Sequence, residues 1–407
     1  MSHVNKINVL DLRSCRGGGG GPEKTILFSA LETDREAFNM SVAYLKSFDD
    51  AEFDLDERAR GLGVESFFTI DERYKFDPGA LRQLLALLRE RQIDILHSHC
   101  YKSDLYGLIL RRFHKMKLVT TAHGPLASFK YFWASKNWRV RYLYDQIDLR
   151  ILKYFDIVFM VSDTMRGIIG RYAVDPAKMI WVRNAIDCRY FRRSDSSSAD
   201  IRGRLGIPAH ATVIGAVGRL NGEKDYPNLL GAAKVLLASR PDLYFVIAGK
   251  GELEQHLRQM AIDMGVAERV IFMGHFHDVR KVFEMMDVYV LSSTREGLPN
   301  TVLEAMAMEV PIVSTDVDGV REAVTGGSKA ILVPAQDSDR LAAGIARMLD
   351  DADLRARLVR TARKKVESEF SFAQRTRRME DMYRRLMSED GPRQSRAGQL
   401  VAEVNRR

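Results

Sequence analysis

Cysteine is scarce. Only Cys15, Cys100 and Cys188 occur in 407 residues, an odd number set far apart. Such sparse thiols exclude a disulfide framework and a cysteine-built zinc site, and they suit a reducing compartment. Long apolar runs are missing as well. No stretch approaches the roughly 18 residues that a transmembrane helix needs. The opening "MSHVNKINVLDLRS" has neither a long apolar core nor a small-residue cleavage site, so it reads as a first strand and not as a secretory leader. No short repeat period is visible. What remains is the composition of a folded protein, 46% hydrophobic. The length exceeds one ordinary core, and two domains are expected.

The formal charge is +8. A basic chain suits anionic partners: nucleic acid, phosphorylated metabolites or acidic lipid. The basic run "RRFHKMK" comes without any RNA-recognition motif, so nucleic acid is not expected as a partner.

Short apolar strands alternate with helical segments. "KINVLDL", "DILHSH", "KLVTTAHG" and "FDIVFMVS" read as strands of a first unit, each followed by loop or helix. The polar, serine-rich stretch 191–208 reads as a linker. Then the alternation restarts with "ATVIGAVGRL", "LYFVIAGKGE", "VIFMGH", "VYVLSS" and "PIVST". This pattern implies βαβ units and two parallel sheets in series. Ligands of such sheets sit beyond the C-terminal ends of the strands.

Three stretches could carry chemistry there. In "GRLNGEKDYPNLL", Arg219 and Lys224 follow a strand and precede a helix, a good place for a phosphate or diphosphate. Two solvated surface cations would look the same. In "TREGLPNTVLEAMAMEVPIVSTD", Pro299 suits the first turn of a helix running to Met308, with Glu296 before it and Glu304 within it. Backbone N–H groups at Leu298 to Thr301 would point out of that helix start. Carboxylates repel phosphate but accept from hydroxyls, so the cations and glutamates together describe a sugar–phosphate ligand. In isolation, a helix-dipole partner for Glu296 and a solvated face for Glu304 account for them better. In "CRGGGGGPEKT", glycines between a strand and a helix let backbone approach phosphate, or simply form a flexible loop. Gly249 and Gly251 in "AGKGEL" could lie against a base or ribose.

Other signals are weaker. Asp316-x-Asp318 in "TDVDGV" looks like a metal motif but reads as an ordinary loop. The pairs His97/His99 and His275/His277 lack a third ligand nearby in sequence, and His97 and His99 are expected at a strand end facing a cleft. No nucleophile elbow is present. The glycine loop lacks the GxGxxG fingerprint, which disfavours a dinucleotide oxidoreductase.

"GGPEKT", "TAHG", "VRNAID", "GRLNGEKD", "AGKGEL" and "EGLPNTVLEAMAMEVPIV" occur in this order. As a set they resemble the family 4 glycosyltransferases, which are retaining, sugar-nucleotide-dependent and of GT-B fold. The likeness runs from Ile7 to Met387, and its most specific part is Glu296-x7-Glu304 joined to Arg219 and Lys224. It implies an α/β protein of two Rossmann-like domains facing across a cleft. Residues 1–190 would bind acceptor and 209–371 donor, with helix 372–388 packing back on the first domain and a loose tail at 389–407. It further implies that Arg219 and Lys224 hold the donor diphosphate, that Glu296 contacts the sugar, and that Glu304 accepts from the ribose. Gly297, Leu298, Pro299, Asn300 and Thr301 would lie against sugar and phosphates. Gly20 and Gly21 would flank the diphosphate, with Gly249 and Gly251 also on the donor, and His123 would line the site near the transferred sugar. No metal and no cofactor are implied; the nucleotide sugar is a substrate. The acceptor would be a glycan or a lipid-linked sugar, in polysaccharide or glycolipid synthesis.

The aromatic and basic stretch 128–146, with Trp133, Trp138, Lys130, Lys136, Arg139 and Arg141, reads equally as a contact with anionic membrane on the cytoplasmic face or as a partly buried helix. A sugar-nucleotide epimerase and a non-catalytic sugar-nucleotide-binding protein remain as alternatives.

Overall fold

The structure is a computed structural model. It describes residues 6–15, 20–74, 76–123, 147, 149–162, 164–194, 199–276, 278–324 and 328–388. The stretch 128–146, Gly17 to Gly19, His277 and the whole of the expected tail 389–407 lie outside these.

The chain divides into two compact units, Met1–Asn184 with Phe372–Arg407, and Ala185–Ser371. The first is built on a seven-stranded sheet of β1 (Ile7–Ser14), β2 (Phe38–Ser47), β3 (Phe67–Glu72), β4 (Ile95–Ser98), β5 (Lys117–Ala122), β6 (Ile157–Met160) and β7 (Met179–Trp181). Their order is β3-β2-β1-β4-β5-β6-β7, every pair parallel. The second unit holds a six-stranded sheet of β8 (Thr212–Val217), β9 (Leu243–Ala248), β10 (Val270–Gly274), β11 (Val288–Leu291), β12 (Ile312–Thr315) and β13 (Ile331–Val333). Its order is β10-β9-β8-β11-β12-β13, again all parallel. Both sheets are doubly wound, and each reverses its strand order once, between β1 and β4 and between β8 and β11.

Parallel strands covered on both faces need apolar residues on both sides. In the first sheet Leu10, Leu12, Leu96, Leu118 and Val158 enter one core, while Val9, Ile95, Val119, Ile157 and Phe159 enter another. Helix Phe372–Met387 belongs to this unit and closes the second of these cores with Met379, Met382, Tyr383 and Leu386. Its buried positions recur every three or four residues, the pattern of one apolar face. In the second unit, helix Asn300–Ala307 is almost wholly buried, with Val302, Leu303, Ala305, Met306 and Ala307 in one core.

The described residues of the stretch 191–208 pack on the second unit and do not form a free linker. The crossing between units falls after Asn184, earlier than composition suggests. Phe191 and Ile207 are core residues of the second unit, and a helix runs over Ala199–Arg204. Arg202 donates to the carbonyls of Ala211 and Met285, so a polar segment is held by backbone contacts that composition does not reveal.

A polar cluster interrupts the first core. Asp11 of β1 lies 2.9 Å from His99 Nε2 and 3.0 Å from His97 Nδ1. His97 Nδ1 also meets Tyr383 OH of the last helix at 2.7 Å, and its Nε2 meets Thr121 Oγ1 at 2.7 Å. His99 Nδ1 meets His123 Nε2 at 2.9 Å. Burial alone would raise the Asp11 carboxyl, but the hydrogen bonds from His97 and His99 outweigh it and hold it below the ordinary range. Burial and the neighbouring His97 push His99 down to about 3 against the opposing pull of Asp11, and burial, then His99, keeps His123 well below its ordinary value.

Two expectations follow. Trimming Leu303 to Ala empties part of a closely packed core, and urea unfolding should show a loss of about 2–5 kcal/mol. The histidines give stability a pH dependence of definite sign. Unfolded, His99 takes a proton near pH 6.5; folded, it resists until about 3. Stability is therefore full above pH 6.5 and is lost on acidification through that window, by about 2 kcal/mol at pH 5 for His99, while the low Asp11 adds a loss only below about pH 4. Trp181 lies in β7 of the first unit, so tryptophan fluorescence can follow that unit's urea midpoint. A midpoint unchanged between pH 8 and pH 5 would contradict neutral buried histidines.

Candidate active site

The second unit carries most of the expected site at the C-terminal ends of β8 and β11, where its strand order reverses. Lys224 comes from the short turn Gly222–Lys224 after β8, and Glu296 from the loop after β11. Lys224 Nζ lies 2.6 Å from Glu296 Oε1. The same oxygen accepts from Ser293 Oγ at 2.6 Å. Both side chains are largely covered, with 20% and 12% exposed, so the pair is weakly screened. The two residues assigned separately to phosphate and to sugar thus hold one another in this structure.

Backbone contacts fix the two loops. Ser292 Oγ donates to the Lys224 carbonyl at 2.7 Å, and Thr294 N donates to the Glu223 carbonyl at 2.9 Å. Thr315 Oγ1 of β12 donates to the Ser293 carbonyl at 2.5 Å. Asp225 follows Lys224 with φ 45° and ψ 50°, the left-handed region that non-glycine residues rarely occupy. Burial raises its carboxyl. Tyr226, next in the chain, donates to the Gly218 carbonyl at 3.1 Å. Arg219 is exposed, and its guanidinium has no partner among the described residues.

Helix Asn300–Ala307 starts one residue later than the sequence suggests. Pro299 is its cap, with φ −73° and ψ 118°, and not part of its first turn. Tyr289 OH donates to Thr301 Oγ1 at 2.7 Å across this start. Glu304 is 2% exposed, which removes the solvated-face explanation. A carboxylate so buried has a specific polar role to justify its desolvation. Leu298 is buried too, and Gly297 is packed backbone to backbone, because a Cβ on Gly319 would fall 1.2 Å from the Gly297 carbonyl oxygen.

Gly249 and Gly251 have a reason of their own. A Cβ at Gly249, which has φ +150°, would fall 1.9 Å from the Gly218 oxygen, and one at Gly251 would fall 2.3 Å from the Leu220 oxygen. These glycines let the β9 loop lie on the β8 loop that carries Arg219. Asp316 is taken by Arg321 through two contacts of 2.6 and 2.9 Å, and Asp318, expected in a loop, opens the helix Asp318–Val324.

Gly20, Gly21 and His123 belong to the first unit. Gly20 N donates to Glu23 Oε2 at 2.6 Å, so this N–H is engaged by the chain itself. Gly21 opens helix Gly21–Leu31. Burial would raise the Glu23 carboxyl, but Arg13 and the Gly20 N–H hold it low. Arg13 also donates to the His99 carbonyl. A chain of contacts therefore runs from Gly20 through Glu23, Arg13 and His99 to His123. The fold supplies Asp11 beside His97 and His99, their ligand atoms within 4.8 Å of one another. All four ring nitrogens already have protein partners, so this is a closed hydrogen-bond network. His97 is the next-to-last residue of β4, as expected near a strand end, and is fully buried. Asp11, Arg13, Glu23 and Ser293 escaped sequence reading; a lone carboxylate inside the apolar strand "INVLDL" was the available signal.

The family model for glycosyl transferases group 1 matches residues 197–365, and that for glycosyltransferase family 4 matches 19–190. EpsD of Bacillus subtilis (strain 168) is 29% identical over 387 residues, 90% of this chain and 98% of its own. The UDP-Gal:alpha-D-GlcNAc-diphosphoundecaprenol alpha-1,3-galactosyltransferase of Escherichia coli is 27% identical over 313 residues, 75% of this chain and 79% of its own. Among solved structures, Anabaena Alr3699/HepE in complex with UDP and glucose superposes with a TM-score of 0.78 at 18% identity, covering 93% of this chain and 99% of that one. With both units matched and the fold shared, the chain belongs to the family 4 glycosyltransferases and has the two Rossmann-like domains of the GT-B fold.

Proposed function

We propose that this glycosyltransferase moves a sugar from a nucleoside-diphosphate sugar to a glycan or lipid-linked acceptor, with retention and without a metal. The observation that carries the reading is the Lys224–Glu296 pair, with Arg219 exposed beside it. Cations suit a diphosphate, and a carboxylate suits sugar hydroxyls. Uridine is the first base to test, since the Escherichia coli relative is named for UDP-Gal and the Anabaena structure is a complex with UDP and glucose. That relative's name also specifies a diphosphoundecaprenol-linked acceptor, which supports a lipid-linked acceptor here.

In this reading the bond between the anomeric carbon and the diphosphate oxygen breaks, and its electron pair leaves with the phosphate. Lys224 and Arg219 stabilise that charge where it develops, which is commonly the largest catalytic contribution. Glu296 holds Lys224 in place and faces the positive character growing on the sugar. The acceptor hydroxyl bonds to the same face of the anomeric carbon and gives its proton to the departing phosphate. A glycosidase-type carboxylate nucleophile fits less well: Glu296 is already bound by Lys224 and Ser293, and Glu304 is buried in its helix. Glu304 is assigned to the ribose hydroxyls, and the backbone from Gly297 to Thr301 to the sugar and phosphates.

None of Cys15, Cys100 and Cys188 is joined in a disulfide, which supports a cytoplasmic setting. Among the described residues no helix is long and apolar enough to cross a membrane.

Lys224→Ala should lower turnover, read as nucleoside-diphosphate release, by about 10²-fold or more with the circular dichroism unchanged; near-normal turnover would remove Lys224 from the mechanism. A thermal-shift panel of UDP-, GDP- and ADP-sugars should find stabilisation by at least one, and none from any would sink the donor reading. With that donor, EDTA should leave the rate intact and the product should keep the donor's anomeric configuration by NMR. A rate restored only by Mg²⁺ or Mn²⁺, or an inverted product, would refute these two points.

A further inference from the structure

The polar network of the first unit determines more than packing, because its contacts specify where protons sit. Asp11 is a carboxylate, and a carboxylate only accepts. His99 Nε2, at 2.9 Å from Asp11 Oδ1, must therefore carry the proton of that bond. His99 is neutral: it is buried, its ring lies 4.1 Å from that of His97, and burial disfavours its charged form. A neutral imidazole has a single N–H. His99 Nδ1 is then a lone pair, and it faces His123 Nε2 at 2.9 Å. Two lone pairs would repel at that distance, so His123 Nε2 is the donor. The single proton of neutral His123 is thus directed inward.

The remaining nitrogen of His123, Nδ1, has no partner among the described residues and is an acceptor only. The rings cannot readily re-orient. His99 N bonds to the Leu12 carbonyl and to Ser103 Oγ, and the His99 carbonyl accepts from Arg13. His123 sits directly after β5, whose register to β4 is set by four residue pairs.

We propose that Asp11 and His99 are positioning residues: through the Asp11–His99–His123 contacts they fix His123 in its Nε2–H tautomer and leave its Nδ1 as a lone pair. An Nδ1 lone pair repels a phosphate oxygen, which has no proton to give at neutral pH, and it takes a hydroxyl proton well. The inference rests on the proposed placement of His123 at the sugar. It adds which residues set the proton on His123, and it excludes His123 as the acid that protonates the leaving group.

The test is the tautomer itself. In ¹⁵N-labelled full-length protein at pH 8, long-range ¹H–¹⁵N correlation spectra distinguish Nδ1–H, Nε2–H and imidazolium rings. The signals are assigned by their loss in His99→Phe and His123→Asn. Both His99 and His123 should be Nε2–H; an Nδ1–H or charged His123 overturns the proposal. In Asp11→Leu the lock on His99 is gone, and His123 should become a mixture of both tautomers. A His123 that stays wholly Nε2–H there removes Asp11 from the positioning role. Should Asp11→Leu not fold, His99→Phe makes the same test of His123 by removing the facing lone pair. For the ligand class, UDP release is measured from UDP-glucose, UDP-galactose and UDP-N-acetylglucosamine. His123→Asn can present an amide oxygen near the Nδ1 position and should stay within about tenfold of wild type, while His123→Phe should lose more than about 10²-fold. Equal activity in the two would overturn the acceptor role. The spectra need no nucleotide sugar, so a wrong tautomer refutes this inference alone, whereas an empty thermal-shift panel refutes the donor reading alone.

Discussion

Lys224 and Glu296 meet at 2.6 Å where two strand-end loops converge, and much of the second unit is arranged around that contact. Neither side chain could hold its place alone. Lys224 ends a short turn followed by a left-handed Asp225, and Glu296 sits in a loop pinned by Ser293, Thr294 and Thr315. The parallel sheet imposes the meeting. In a doubly wound sheet the loops after neighbouring strands diverge to opposite faces where the strand order reverses, leaving a crevice there. β8 and β11 flank that reversal, and their loops carry the cation and the carboxylate.

The first unit obeys the same constraint with different chemistry. Its order reverses between β1 and β4, which carry Asp11 and Arg13, and His97, with His99 just beyond. Arg13–Glu23 ties the glycine loop to the sheet, and Asp11–His99 ties the sheet to His123. The last helix contributes Tyr383 to this network and Arg375 to the carbonyls of Val182 and Arg183, which joins the end of the chain to the strands it covers.

How much of this could be read from sequence depended on whether local residues or distant backbone set the structure. Strands β4, β6, β11 and β12 are buried along their whole length and show as uninterrupted apolar runs with small polar ends. β2 escaped notice because Asn39, Ser41 and Lys46 break its run, and β3 because it is an edge strand with exposed Thr69 and Asp71. β7 and β13 have only three residues each. Arg219, Lys224, Glu296 and Glu304 stand out as candidates by residue type and spacing, but the contact between Lys224 and Glu296 does not. Gly249 and Gly251 invite a ligand explanation from sequence, yet the carbonyls of Gly218 and Leu220 require glycine there with or without a ligand. Glu304 shows the reverse: its sequence context suggests a solvated helix face, and its burial is set by packing from elements distant in the chain.

Buried and half-buried charge pairs are poor sources of stability, because desolvation offsets most of their attraction. A fold that places the pairs Lys224–Glu296 and Arg13–Glu23, and the Asp11 carboxylate against a neutral His99, at the two points where its sheets reverse is therefore hard to explain by stability alone. Apolar residues of similar volume would pack these positions at no desolvation cost. What apolar residues cannot do is present fixed charge and fixed lone pairs to a ligand without rearrangement when it arrives. Preorganised groups of this kind are favoured where charge develops during a reaction. The residues that hold them, Ser293, Thr315, Ser103 and the backbone carbonyls of Leu12 and Lys224, are ordinary parts of the sheets and their first loops. Reactivity and scaffold thus draw on the same hydrogen bonds, so that a change at Asp11 or Ser293 acts on the site through the fold without touching the ligand.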